Sequence, residues 1–214
     1  MPTELRKIRD NERKERTRTS LIAAATSTFA RQGYHKTLIS DIVKEAGVGQ
    51  GTFYRNFENK QEVFEVIFDD FVNQAISQFA DMSANLPSNL QEYKSASLNG
   101  VLKLVRLVEE NAQVSQLFLR EGNAIDPEFE AKVSGFLNRF AQLAQFYLDH
   151  AISAGFARPC RSDLVAQSLI GIGLRLADMW WQGEFADLNS EQIAEEIVEF
   201  AFRGFGLYDH QINP

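Results

Sequence analysis

Every long apolar segment of this 214-residue chain repeats with the period of an α-helix. Apolar residues recur three and four positions apart, as in Val63, Ile67 and Phe71. No stretch alternates apolar and polar residues between turn signals, which is the pattern of a half-buried strand. The sequence therefore predicts an all-α protein.

Residues that start and stop helices divide the chain into about nine helices. Gly33 closes a first helix that begins near Asp10, and Gly47 ends a short second helix. Asn59 followed by Glu62 predicts a capping box at the start of a long fourth helix, with a short third helix before it. Further helices are predicted at about 89–110, 112–121, 126–154, 162–183 and 190–208.

The charge of the chain is unevenly divided along its length. The net charge is -7, yet residues 1–60 contain 12 lysine and arginine residues against 7 acidic ones, while residues 61–214 contain 10 against 22. Phosphate neutralisation requires basic side chains, so we expect the amino-terminal quarter to bind a polyanion. A solvated basic face without a partner is the alternative.

The sequence also argues against several classes of protein. No window approaches about 18 uninterrupted apolar residues and the amino terminus is charged, so we expect no membrane partner and a cytoplasmic location. Cys160 is the single cysteine and has no clustered cysteine or histidine, which predicts an inert thiol. The three histidines are scattered and no nucleophile motif occurs, so we expect no enzymatic activity, no cofactor and no metal site.

The segment from Gly47 to Lys60 carries the clearest functional pattern. A glycine turn joins two short helices, and in the second of them Phe53 and Phe57 are one turn apart and predicted to face inward. This arrangement predicts a helix-turn-helix, whose second helix enters the major groove of DNA. Side chains suited to base edges, phosphate and close backbone approach are expected on the opposite face: Gln50, Gly51, Tyr54 and Arg55.

Residues from about 13 to 64 resemble the DNA-binding domain of the tetracycline-repressor (TetR) family. The matching residues are Ala24, Phe29, Gly33, Tyr34, Thr37, Asp41, Ile42, Ala46, Gly47, Val48, Gly51, Thr52, Phe53, Tyr54, Phe57, Lys60 and Phe64. The resemblance implies a three-helix DNA-binding domain at residues 1–62 and a larger helical domain for effector binding and dimerisation at residues 63–214. It implies a transcription repressor that a small inducer releases from operator DNA. An activator, a helical small-molecule or lipid-binding protein without a DNA role, and an enzyme are the alternatives.

The resemblance also implies which residues contact double-stranded DNA. They lie at the start of helix 2, around helix 3 and at the start of helix 4: Thr37, Ser40, Gln50, Gly51, Thr52, Tyr54, Arg55, Asn56 and Lys60, the last on phosphate. The family usually has a hydroxyl residue where this chain has Leu38 and Ile39. Thr37 or Ser40 is therefore expected to cap helix 2.

A basic segment precedes the predicted DNA-binding fold. Its basic residues are Arg6, Lys7, Arg9, Arg13, Lys14, Arg16 and Arg18. Such a segment either follows the DNA backbone or a minor groove, or remains a solvated tail. The sequence leaves both alternatives open.

By the same resemblance, helices 4 to 7 enclose an inducer cavity. Fourteen of the 17 phenylalanines lie beyond residue 60, although ordinary core packing is the alternative for each of them. The candidate wall residues are Phe68, Phe71, Tyr93, Leu104, Phe118, Arg120, Phe136 and Phe140. We expect an elongated, largely apolar inducer such as a fatty acid or acyl derivative. Arg120 is the candidate polar anchor, whereas Arg175 has Asp178 three residues on as an ion-pair partner.

The segment from Ser162 to Gly183 is apolar nearly all round, so both of its sides must be covered. Gly171 and Gly173 permit another helix to approach closely. The resemblance implies a homodimer that forms through this helix and the last one. Such a dimer would place two recognition helices about 34 Å apart on a near-palindromic operator.

Overall fold

Nine α-helices form the regular structure of the described residues in the computed structural model. The structure describes residues 2–79, 85–121 and 125–205. Within these ranges it describes every side chain except those of residues 2, 3, 119–121 and 205. These ranges contain no strand, so the all-α prediction is confirmed, and none of their helices is long and apolar enough to cross a membrane. The helices are α1 Pro2–Gln32, α2 Ile39–Glu45, α3 Gln50–Tyr54, α4 Lys60–Ser77, α5 Leu90–Glu110, α6 Ala112–Glu121, α7 Pro127–Ser153, α8 Ser162–Trp181 and α9 Ser190–Phe205.

The first helix begins at Pro2, well before the predicted start near Asp10. Proline suits the first position of a helix because the amide that it lacks would have no partner there. Strong helix formers follow, and Arg16 pairs with Glu12 one turn earlier, at 3.4 Å between Nη2 and Oε2. The basic segment is therefore helical and continuous with the rest of α1. The predicted end of the last helix near Tyr208 lies outside the described residues.

Gly47 makes the sharp turn between α2 and α3. Its φ is +66°, a backbone conformation that strains residues with a Cβ. The amide of Val48 donates to the carbonyl of Val43 at 3.0 Å, and the amide of Gly47 donates to that of Lys44 at 3.3 Å. These two hydrogen bonds form a Schellman motif, so the predicted end of the second helix is confirmed.

The start of α4 has the predicted Asn59 cap. Asn59 Oδ1 accepts a hydrogen bond from the amide of Glu62 at 2.9 Å. The Glu62 carboxylate reaches back to the amide of Glu58, one residue earlier than in a standard capping box. The chain entering α4 is thus fixed by reciprocal hydrogen bonds.

Packing divides the chain into two compact units. The first contains α1 to α4 as far as Phe71, together with α6 and the start of α7 to Glu130. The second contains the rest of α4 from Val72, α5, the rest of α7, α8 and α9. The boundary predicted between residues 62 and 63 separates a DNA-binding domain from a domain for effector binding and dimerisation. That functional division stays a prediction.

An aromatic cluster forms the core of the first unit. Phe64 of α4 is fully buried, and its ring centroid lies 5.5 Å from that of Phe29, 5.2 Å from Phe118 and 4.9 Å from Phe129. All three contacts are edge-on, a geometry that favours each pair by about 0.5–1.5 kcal/mol beyond burial. The cluster joins α1, α4, α6 and the start of α7, and α1 in turn packs against α2.

The second unit has a separate core around Tyr93. The Tyr93 ring stacks on Tyr147 of α7 at 5.9 Å and meets Phe202 of α9 edge-on at 5.3 Å. Burial in this apolar surrounding raises the pKa of Tyr93 to about 12. The phenol is therefore neutral at physiological pH and serves as packing between α5, α7 and α9.

Candidate nucleic-acid interface

Two phenylalanines and one arginine hold α3 from behind. Phe53 and Phe57 are 0% and 2% exposed, which confirms that they face inward. The guanidinium of Arg18 lies 4.3 Å from the centroid of the Phe57 ring, and its Nη1 donates to the carbonyl of Asn56 at 2.8 Å. Arg18 thus ties α1 to the chain just after α3, where Phe57 lies because the helix ends at Tyr54 and not beyond Phe57 as predicted. The sequence does not distinguish it from the other arginines of the basic segment.

The opposite face of α3 is open to solvent. Gln50, Gly51, Tyr54 and Arg55 are all exposed there, with 57% of Tyr54 accessible. A Cβ built on Gly51 would meet no atom within 4 Å, so the backbone can be approached closely at this point. Polar side chains on a short helix that is rigidly held from behind can contact base edges in a major groove.

The guanidinium of Arg55 lies along its own helix. Its Nε donates to the carbonyl of Gly51 at 3.1 Å, and its Nη2 donates to the hydroxyl of half-buried Thr52 at 2.9 Å. Both hydrogen bonds are exposed, so the two acceptors of a guanine edge can replace them. Asn56 is half-buried, and its Nδ2 donates to the carbonyl of Thr52 at 2.8 Å, which ties it to the end of α3.

The cap of α2 differs from the prediction. Leu38 occupies the N-cap position without a side-chain hydrogen bond, and the Asp41 carboxylate accepts from the Leu38 amide at 3.0 Å and from Gln32 Nε2 at 2.9 Å. These hydrogen bonds, the backbone one first, lower the pKa of Asp41. The expectation that Thr37 or Ser40 caps α2 is wrong, because an acid three residues into the helix binds the amide at its start instead.

Thr37 and Ser40 occupy different environments. Ser40 is exposed in the first turn of α2. Thr37 is fully buried, and its hydroxyl donates to the carbonyl of Gly33 at 2.7 Å. The Thr37 side chain therefore stabilises the loop between α1 and α2 from within and does not lie on the exposed surface where the resemblance places it.

Lys60 also has a role that the sequence did not reveal. The resemblance places its ammonium on DNA phosphate, but Nζ lies 2.7 Å from the carbonyl oxygen of Tyr34, 2.9 Å from that of Thr37 and 3.4 Å from that of His35. It also lies 4.3 Å from the centroid of the Tyr34 ring. An ammonium has three N–H donors, so these carbonyls can engage all of them. Lys60 therefore fastens the start of α4 to the α1–α2 loop, and backbone acceptors of this kind leave no signature in a sequence.

Three of the four candidate ligand-binding residues in the first unit have described side chains. The ring centroids of Phe68 and Phe118 are 4.8 Å apart, and those of Phe71 and Phe118 are 5.9 Å apart. Phe68 also contacts Phe129 at 5.0 Å. All three candidates are less than 9% exposed, so in this conformation they are packed against each other as core. Phe129 was not among the candidates, although it is the third residue of α7 and its amide donates to the Asp126 carboxylate just before that helix.

Four further candidates lie in the second unit. Phe136 and Phe140 of α7 contact one another edge-on at 4.9 Å. Tyr93 belongs to the tyrosine core, and Leu104 is half-buried on α5. The side chain of Arg120 lies outside the described residues. The ligand-binding role of these residues stays a prediction.

Residues 21–67 match the family described as bacterial regulatory proteins, tetR family. The matched segment contains the packed part of α1, the helix-turn-helix and the start of α4. Over 193 residues the chain is also 25% identical to the HTH-type transcriptional regulator YhgD of Bacillus subtilis, covering 86% of this chain and 94% of that protein. The chain is a TetR-family regulator. The three-helix DNA-binding fold expected from the resemblance is thereby confirmed.

Two further matches to this TetR-family regulator come from Bacillus subtilis, one in sequence and one in structure. The fatty acid metabolism regulator protein is 27% identical over 135 residues, which cover 63% of this chain and 68% of that protein. The crystal structure of the transcriptional regulator FadR in complex with stearoyl-CoA superposes with a TM-score of 0.71 at 19% identity, covering 86% of this chain and 96% of that one. At this identity the structural likeness shows a shared fold.

In this TetR-family regulator, we expect Gly51→Ala to separate DNA affinity from stability. The added methyl group meets no atom, and alanine is favoured over glycine in a helix, so the free energy of unfolding should stay the same or rise by up to about 1 kcal/mol. Affinity for operator DNA should fall about tenfold or more, because the methyl group occupies the space needed for close approach of the backbone. Thermal denaturation and fluorescence anisotropy measure the two quantities.

Gly135→Ala is the matched control for this substitution. Gly135 is an exposed glycine in α7 whose added Cβ would also meet no atom within 4 Å. It should bind DNA like the parent protein. If both variants bound DNA equally well, the expected role of Gly51 would be contradicted.

Proposed function

We propose that this TetR-family regulator is a repressor that holds operator DNA through α2 and α3 and leaves it when a small, largely apolar molecule binds. The observation that carries the proposal is the exposed face of α3, which presents Gln50, Tyr54 and Arg55. The buried rings of Phe53 and Phe57 lie on the opposite side. The excess of basic residues in positions 1–60 supports DNA as the partner.

An acyl chain is the proposed apolar part of the ligand. Stearoyl-CoA is bound by FadR, whose fold this chain shares, and the sequence match from the same organism is named for fatty acid metabolism. The buried rings of Phe68, Phe71 and Phe118 would line an apolar site for this chain, with Arg120 as the proposed anchor for an anionic group. Because these rings are now in contact, a chain inserted among them must push them apart.

The path from ligand to DNA is proposed to run along α4. Phe68 and Phe71 stand on the same helix as Lys60, whose ammonium binds the carbonyls of the α1–α2 loop. A displacement of α4 would therefore pull on the loop that leads into α2. This coupling requires two arrangements of α4 that ligand and DNA favour differently.

The proposed assembly is a homodimer formed by α8 and α9. Among the twenty residues of α8 only Ala166 is buried, although the helix is mostly apolar. Leu164 of α8 is 62% exposed and Phe200 of α9 is 64% exposed. The Cβ positions of Gly171 and Gly173 are also open, which leaves room for a second helix. A second copy of the chain would cover this apolar surface.

We expect Leu164→Glu combined with Phe200→Glu to give a folded monomer that binds operator DNA at least about 100-fold more weakly, because two half-sites are no longer held together. Sedimentation velocity and anisotropy measure assembly and affinity. Leu90→Glu is the control, since Leu90 is a 41% exposed leucine in the first turn of α5, where an acid is tolerated. A parent protein that sediments as a monomer at micromolar concentration would contradict the proposed dimer.

The function is tested by selecting DNA from a random pool with the purified protein. The proposal expects one near-palindromic sequence to be enriched and stearoyl-CoA or stearic acid to release it. The same ligand should raise stability by about 2.7 kcal/mol at 100 times its Kd. Enrichment of no sequence would favour a lipid-binding protein without a DNA role. Release only by hydrophobic cations would refute the acyl ligand, and increased transcription from the bound site would refute repression.

A further inference from the structure

Four arginines form a row along the amino-terminal part of α1. Arg6, Arg9, Arg13 and Arg16 are spaced three and four residues apart, which places them on one side of the helix. At about 1.5 Å per residue the row is about 15 Å long. We call these four residues the arginine row.

The arginine row borders the surface proposed to bind DNA. Together with Thr17 and Ser20 of α1 and Val48 of the α2–α3 turn, it lines a groove of about 800 Å³. Val48 stands two residues before Gln50, the first residue of α3. The groove therefore extends from the helix-turn-helix along the amino-terminal part of α1.

The charges of the arginine row are largely uncompensated. Arg16 pairs with Glu12 at 3.4 Å, but both side chains are more than half exposed, so water screens the pair. Asp10 also lines the groove. Within the described ranges, Arg6, Arg9 and Arg13 have no carboxylate partner. The groove thus contains four guanidinium groups and two carboxylates, which leaves it a net positive charge.

Packing does not account for this part of α1. Residues 4–16 are all exposed, and the first buried side chain of the helix is Leu21. A helix without tertiary contacts is only marginally stable over such a length, and like charges three or four residues apart weaken it further. A polyanion bound along the arginine row would reverse both effects, since it would supply contacts and neutralise the repulsion.

We infer that the arginine row is a second DNA contact, which binds the phosphates that flank the site read by α3. The inference rests on the proposed function, because it takes DNA as the polyanion. A guanidinium can donate two parallel hydrogen bonds to one phosphate, and a helical row brings several of them to one strand. The amino-terminal segment then adds affinity and adds no base preference.

The test compares two double variants that each remove two positive charges from the same exposed helix. Arg9→Gln with Arg13→Gln removes the centre of the arginine row. Lys7→Gln with Lys14→Gln is the control, because at 3.6 residues per turn these lysines lie about 120° or more around the helix from the centre of the arginine row. Affinity for the selected operator with 10 base pairs of flanking DNA on each side is measured from 0.05 to 0.3 M salt.

The arginine variant should bind at least about tenfold more weakly at 0.1 M salt, and its slope of log affinity against log salt should be shallower by about two for each α1 that contacts DNA. The lysine variant should keep the parent slope. Equal slopes for the two variants would overturn the inference and leave the proposed function standing, whereas a parent protein that enriches no DNA would overturn both. Hydroxyl-radical footprints should show flanking protection that only the arginine variant loses, and circular dichroism checks that both variants remain folded.

Discussion

Phe64→Ala should lower the free energy of unfolding by about 3–5 kcal/mol, the usual cost of removing a fully buried phenylalanine. The ring is surrounded by other rings, and beyond the three contacts described above its centroid lies 4.9 Å from that of Tyr34. The three phenylalanine rings belong to separate helices and Tyr34 to the α1–α2 loop, so they cannot close the cavity without moving those elements. A whole domain is typically stable by only about 5–15 kcal/mol, so the variant should be close to unfolding at physiological temperature.

Urea denaturation followed by circular dichroism measures the effect of Phe64→Ala. Phe146→Ala is the control, because Phe146 of α7 is 46% exposed and loses much less burial on truncation. The control should cost less than about 1.5 kcal/mol. A cost for Phe64→Ala no larger than that of the control would show that the aromatic cluster does not hold the first unit together.

Lys60→Met should lower the free energy of unfolding by about 2 kcal/mol, the scale of losing hydrogen bonds to a charged donor. Methionine keeps an apolar stem to cover the Tyr34 ring but donates nothing to the carbonyls that the ammonium now binds. The amino end of α4 should then separate more readily from the α1–α2 loop. Lys36→Met is the control, since Lys36 is an exposed lysine of that loop.

Denaturation of the free protein and salt-dependent DNA binding together separate the two roles of Lys60. If Lys60 acts through the loop, Lys60→Met is less stable than Lys36→Met before any DNA is added. If it acts on phosphate alone, the two variants have equal stability, and Lys60→Met shows a salt slope shallower by about one. The second result would contradict the role that the carbonyl contacts give to Lys60.

Local patterns predicted much of this fold, because the features concerned depend on neighbouring residues. The helical spacing of apolar residues predicts that Phe53 and Phe57 face inward. A glycine after an apolar stretch predicts that α2 ends at Gly47. The start of α1 was missed for a related reason. An exposed helix has no apolar stripe, and helix propensity together with Pro2 determines where it begins.

The site was predicted less completely, because contacts between distant residues carry no local signal. Thr37 and Lys60 match the family pattern by position, yet their polar groups bind backbone carbonyls in the loop between α1 and α2. Arg18 reaches a carbonyl 38 residues away. Such partners can be identified only when the tertiary structure brings them together.

If Arg55 reads a base edge, as the proposed function requires, its resting position affects how the protein searches a genome. On a wrong sequence the guanidinium keeps its hydrogen bonds to Gly51 and Thr52, so sliding along DNA leaves none of these donors without a partner. At a guanine the same donors exchange one pair of acceptors for another. Under this proposal we expect the association rate to be the same on every sequence and the dissociation rate to distinguish the correct site.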